Sequence, residues 1–121
     1  MSTRCWVGQK RDDGKIYAFY CHCDGYEKFP GVGYTLSVYY SEKDKVTSLV
    51  DKCILNGTFS ISKNVEETEK ELYKNGISLP IFEDESSFVE NIPFDIENIF
   101  LYKDGKWKVF RGDKGFKNYR Y

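Results

Sequence analysis

The chain has 121 residues, enough for one domain with a modest core and too few for two. Lys and Arg total 18 against 19 Asp and Glu, and the net charge of −1 argues against a dedicated DNA- or RNA-binding protein, which carries a basic excess to neutralise phosphates. No apolar run approaches the ~20 residues of a membrane span, and the opening MSTRCWVGQKRDD lacks the apolar core of a signal peptide, so a cytoplasmic protein with reduced cysteines is expected.

In chain order, residues 3–9 (TRCWVGQ) read as a strand. Asp13-Gly14 then signals a hairpin turn, because glycine supplies the positive φ that such turns need. The second strand runs over residues 15–22, with Ile16, Ala18 and Tyr20 on one face and Tyr17, Phe19 and Cys21 on the other. Both faces are apolar, which predicts an interior strand. A loop over residues 24–33 follows, and Leu36, Tyr39 and Tyr40 at helical spacing predict a short helix opening at Gly33. Ser41 with Asp44 three residues on predicts a serine cap for the next helix, which carries Val46, Leu49, Val50 and Cys53 and ends at Asn56-Gly57.

Residues 58–62 read as a short extended piece. Residues 64–75 read as an exposed helix with a thin apolar stripe of Val65 and Leu72. Residues 79–82 are predicted to be extended, with a helical turn near residues 86–90. Asp104-Gly105 signals a second hairpin between residues 97–103 and 106–111, in which Trp107, Val109 and Arg111 share a face. Residues 112–121 carry no pattern that forces order, and a flexible tail is expected there. The fold class is α+β: a single domain over residues 1–121, with an antiparallel sheet of about four strands and two or three helices on one face.

Charge is unevenly placed. Residues 83–97 hold six acids (Glu83, Asp84, Glu85, Glu90, Asp95, Glu97) and no base, whereas residues 103–121 hold seven bases and two acids. Such a basic segment on a near-neutral protein suits a small anionic ligand or an acidic partner surface.

Cys21-His22-Cys23 raises metal binding, but strand alternation puts the two thiols on one side and the imidazole on the other, and no C-x₂-C pair exists. No metal ligand is therefore assigned. His22 and Asp24 lie two apart, so the acid would share a face with the imidazole and orient it as a base if the strand continued. Gly31-Val32-Gly33 before a helix is similar to anion-binding loops, though it lacks the Gly-Lys-Ser/Thr of a P-loop.

Over its first 50 or so residues the chain resembles a family of small phage and prophage proteins with the pattern T-R-S-x-I-G…D-G…I-Y-C-H-W-D-G-Y-P…V-G-x-x-L…Y…K-V-x-x-L-I. The match runs through Thr3, Arg4, Gly8, Asp13, Gly14, Tyr20, Cys21, His22, Asp24, Gly25, Tyr26, Val32, Gly33, Leu36, Tyr40, Lys45, Val46 and Leu49. Cys23 stands where the family has tryptophan. The sequence also looks like the anti-Thoeris type of phage protein, β-rich multimeric sponges that sequester a cyclic ADP-ribose signal, in some cases cyclic oligonucleotides, without cleaving it. That resemblance implies a phage anti-defence role in the host bacterial cytoplasm, a homo-oligomer, and a subunit-interface pocket that stacks a base on aromatics and grips phosphates with arginines.

The expected ligand-binding set is accordingly Arg4, His22, Asp24, Tyr26, Gly33, Phe82, Trp107 and Arg111. Tyr26, Phe82 and Trp107 are assigned to the base and Arg4 and Arg111 to phosphate. No catalytic residue, cofactor, membrane contact or direct nucleic-acid contact is expected. Two other functions fit the sequence: an inhibitor that docks on a host defence protein, such as a CRISPR effector, through the acidic block, and a small nucleotide hydrolase built on His22 and Asp24.

Overall fold

The structure is a computed structural model that describes residues 3–72, 81–92 and 96–119. In chain order its elements are β1 (Cys5–Lys10), β2 (Ile16–Cys21), α1 (Val32–Tyr39), α2 (Lys43–Cys53), α3 (Val65–Glu69), β3 (Ile81–Phe82), α4 (Glu85–Glu90), β4 (Asn98–Lys103), β5 (Lys106–Phe110) and β6 (Phe116–Asn118). Both hairpins expected from Asp-Gly pairs form. The second turns through Asp104 and Gly105, both at positive φ (55° and 76°), the handedness that matches strand twist.

The two hairpins lie side by side. β1 pairs parallel with β4, and the other strand pairs are antiparallel, giving among the described residues one six-stranded sheet in the order β3-β2-β1-β4-β5-β6, with an isolated parallel bridge from Cys21 to Thr58. The α+β class holds, but the sheet is larger than four strands and mixed. Part of the difference is the segment expected to be a loose tail. Residues 116–118 add a strand to β5, and Tyr119 packs its ring against Phe100 (5.8 Å, 69°).

The helices do not share one face. α1 and α2 cover the side that carries Cys5, Val7, Phe19, Cys21, Phe100, Tyr102, Trp107 and Val109. α4 covers the other side, where Phe88 packs with Trp6, Ile16, Ala18, Phe82, Ile99 and Leu101. The strands are buried on both faces because alternate residues on both are apolar, so a helix must cover each side. Gly8 makes room for α4: a Cβ there would meet Phe88 Cζ and Ile16 Cγ2 at 3.0 Å. Burying the Phe88 side chain contributes about 1.5–3 kcal/mol.

Helix ends depart from expectation at the start of α2 and at the end of α3. The N-cap of α2 is Glu42, not Ser41, and no side chain caps the helix; the Ser41 carbonyl instead accepts from the Tyr102 hydroxyl at 3.0 Å. Gly57 at φ 72° closes the C-terminal end as the Asn56-Gly57 pair suggested, its N–H reaching the Cys53 carbonyl at 2.7 Å. α3 starts at an Asn64 cap but ends at Glu69, shorter than expected, and Leu72 bridges Thr58 instead of continuing the helix; residues 73–75 of that expected helix lie outside the described residues, as do residues 79–80. Among the described residues no helix is long and apolar enough to cross a membrane.

Candidate functional site

The loop over residues 22–31 is clamped from three sides. The His22 and Cys23 amides donate to the Thr58 and Phe59 carbonyls (2.9 and 2.7 Å). The Gly25 amide donates to the Thr3 carbonyl at 2.8 Å, and its own carbonyl accepts from Asn98 Nδ2 at 2.9 Å. On the third side Arg111 forks onto Glu27 (2.7 and 2.8 Å), and the Tyr119 hydroxyl donates to the Glu27 carbonyl. Glu27 is the first cause of a raised Arg111 pKa, since it favours the charged guanidinium.

This clamp decides where the expected site residues stand. Gly33, in the first turn of α1 and not at its start as expected, packs against the loop: a Cβ would fall 2.7 Å from Glu27 Cα and 2.8 Å from the Tyr119 hydroxyl. Its amide donates to the Tyr26 carbonyl (3.0 Å), and the Val32 amide donates to the Asp24 carbonyl (2.6 Å). Loop carbonyls thus occupy two amides that an anion-binding turn would present to a ligand. Asp24 is exposed, with its backbone in the left-handed region at φ 61°. His22 Nδ1 lies 2.8 Å from the Tyr20 hydroxyl, with the Phe59 ring edge-on at 5.8 Å. The Arg4 amide donates to Glu97 Oε2 at 2.7 Å.

Phe82 lies across the sheet, buried in β3 against Trp6 and Phe88. The structure therefore brings Gly33, Tyr26 and Arg111 together around Glu27 and leaves Phe82 on the opposite face. Trp107 is apart from both. It is 4% exposed on β5, and its indole N–H donates to the Tyr40 carbonyl at 2.8 Å.

The thiols are deep. Cys5, Cys21 and Cys53 are buried and free, with Cys5 opposite Cys21 across the first hairpin. Hydrogen bonding with Cys5 and burial push the Cys21 thiol well above its ordinary value, and burial pushes Cys53 up to about 12. Thiols held in the protonated form are poor nucleophiles and poor metal ligands. Among the described residues, no three His, Cys, Asp or Glu side chains come together to hold a metal ion.

Four of the six acids in the block are engaged within the fold, and Glu90 is exposed. Glu83 pairs with Lys15 at 3.8 Å, Asp84 caps α4 through the Ser87 amide, and Glu97 receives the Arg4 amide. Glu85 lies 2.6 Å from Lys103 and 3.9 Å from Lys10. Asp95 is outside the described residues.

Trp107 does border open space. With Tyr102, Tyr119, Ser37 and Lys106 it lines a groove of about 390 Å³ between α1 and the β5–β6 edge. At Tyr102 and Gly105 this groove meets a second of about 230 Å³, at the end of β1 and β4, where Lys10, Arg11, Lys43 and Lys103 converge with Asp12 and Asp104. No family model, no curated protein and no solved structure matches this chain. What the double groove can do follows from its own geometry.

Arg11 is held there by three side chains. Nε donates to Gln9 Oε1 (3.0 Å), Nη2 donates to Asp51 (2.7 Å), and the guanidinium sits 4.4 Å over the Tyr17 ring. Gln9 is itself buried and donates from Nε2 to Thr47 Oγ1 at 2.8 Å. Nη1 has no hydrogen bond among the described residues, and Arg11 lines the cation-rich groove. Lys10 and Lys103 share the single Glu85 carboxylate, which raises the Lys103 pKa, and Lys106 has no ion-pair partner among the described residues. Lys106, Arg11, Lys10 and Lys103 were absent from the expected set. The basic excess of residues 103–121 pointed to two of them, but Arg11 and Lys10 reach the groove only because β1 pairs with β4.

Proposed function

We propose that this protein is a non-catalytic binder that sequesters a small aromatic anion of the cyclic-nucleotide class, in keeping with a phage anti-defence role. One observation carries the reading: an aromatic-walled groove and a cation-lined groove meet at Tyr102 and Gly105. The heterocycle lies against the half-buried Tyr119, where apolar burial favours it. The phosphate faces Lys106 and Nη1 of Arg11, and charge-assisted hydrogen bonds to such groups are the stronger kind. Sequestration rather than turnover is supported by the buried, protonated thiols and by the placement of His22 outside both grooves.

The test is a thermal-shift screen against cyclic mononucleotides, cyclic dinucleotides and cyclic ADP-ribose, followed by denaturation and chromatography of the ligand. A ligand at a hundred times its dissociation constant adds about 2.7 kcal/mol of stability, and it is recovered intact. A screen with no shift at millimolar ligand overturns the binding reading, and recovery of a cleaved product overturns sequestration.

A further inference from the structure

Another groove lies apart from Tyr102 and Gly105. Phe29, Tyr34 and Tyr39 line a cleft of about 400 Å³, which meets a larger one of about 650 Å³ at Tyr39, Lys63 and Asn64. Phe29 is 62% exposed, an unusual state for a phenylalanine whose ring already has a neighbour. The rings follow one another edge-to-face: Phe29 to Tyr34 at 4.9 Å and 87°, then Tyr34 to Tyr39 at 6.5 Å and 76°. Successive near-perpendicular rings make a corrugated apolar surface, the form that receives the ridged, preformed polyproline II helix.

Charge marks the far end. Glu42, Asp44 and Glu66 line the larger cleft with Lys45, and Glu67 and Lys63 lie towards the rings, so four carboxylates face two ammonium groups. Of these acids only Glu67 is ion-paired among the described residues, to Lys70 at 3.5 Å. The surplus is negative and sits beside the aromatic row.

We propose that this double cleft docks an extended proline-rich segment of a partner protein, with prolines seated among Phe29, Tyr34 and Tyr39 and a flanking arginine or lysine facing Glu42, Asp44 and Glu66. A proline-rich segment is already stiff, so little ordering entropy opposes its binding. The surface shares only Ser41 with the proposed nucleotide grooves and none of the side chains assigned to either ligand, so either reading can fail alone.

The test uses the full chain and a fluorescein-labelled synthetic peptide with two Pro-x-x-Pro repeats and one terminal arginine, followed by anisotropy. Matched peptides replace the prolines with alanine or the arginine with glutamate. The expected result is saturable binding of the first peptide only. Phe29→Ala weakens it at least about tenfold, the scale of an interface hot spot, and Glu66→Lys weakens it severalfold. Both positions are surface-exposed or nearly so, and an unchanged thermal melt shows that the variants fold. No saturation up to about 1 mM peptide, a millimolar constant being the weak limit of measurable recognition, overturns the proposal. So does equal binding of the alanine peptide, or a Phe29→Ala variant that turns a sedimenting oligomer into a monomer, since a second copy then fills the cleft.

Discussion

The two tryptophans offer a matched experiment on how this core is held. Trp6 and Trp107 are 5% and 4% exposed and lie on opposite faces of the sheet. Their indole N–H groups differ: that of Trp107 donates to the Tyr40 carbonyl at 2.8 Å, whereas that of Trp6 is buried with no partner among the described residues. Trp→Phe contracts the ring at either site, and the loss of volume is a shared penalty that largely cancels in the comparison. At Trp107 the change also leaves the Tyr40 carbonyl without its donor, which costs about 1–3 kcal/mol. At Trp6 it removes a stranded donor and relieves a penalty of about the same size. Trp107→Phe should therefore be less stable than Trp6→Phe by about 2–6 kcal/mol. With a urea m-value of about 1.5 kcal/mol/M, the midpoints differ by more than about 1 M. Urea titration followed by circular dichroism measures this without depending on either indole's fluorescence. Equal midpoints, or a lower midpoint for Trp6→Phe, would refute the hydrogen-bond argument.

Three further outcomes are expected. Gly33→Ala forces a methyl group to within 2.8 Å of Glu27 backbone and the Tyr119 hydroxyl; overpacking of this kind costs about 1–3 kcal/mol, and a urea midpoint equal to wild type contradicts the clamp. In the native protein at pH 8, Ellman's reagent should titrate Cys23 quickly and Cys5, Cys21 and Cys53 only after unfolding; fast reaction of all four thiols contradicts their burial. The Tyr17 hydroxyl, 2.6 Å from Asp13, holds that carboxyl below its ordinary 3.8. A depressed carboxylate stabilises fully above its unfolded value and loses that contribution as pH falls through the folded one, so Tyr17→Phe should differ from wild type in pH dependence below about pH 4, and parallel stability curves there would sink the assignment.

Local grammar carried the hairpins and α2. Asp13-Gly14 and Asp104-Gly105 announce turns whose backbone needs positive φ, and Val46, Leu49, Val50 and Cys53 recur at helical spacing on the face that is buried. Long-range pairing has no such signature. Nothing in residues 5–10 says that they lie parallel to residues 98–103, yet that one pairing sets the sheet order and brings Lys10 and Arg11 beside Lys103 and Lys106. β6 carries no sequence signal because it is short and polar and is ordered through β5 and Tyr119.

The expected site scattered for the same reason. With both faces of the sheet apolar, the sequence does not say which aromatics fill the core and which stay open. Phe82 and Trp107 are in the core, whereas Phe29 is left in solvent. Arg111 was assigned to phosphate on its charge, but Glu27 from the opposite end of the chain takes both arms of its fork. The aromatic content was legible, and its distribution between core and surface was not.

Isothermal titration calorimetry with the cyclic nucleotide that gives the largest thermal shift, on wild type and on Lys106→Glu, tests the central claim most directly. Lys106 is exposed and without an ion pair among the described residues, so the substitution leaves the fold intact. Loss of a charge-assisted contact and its replacement by a repelling carboxylate should weaken binding at least about tenfold. An unchanged isotherm would show that the ligand is held somewhere other than the groove at Tyr102 and Gly105.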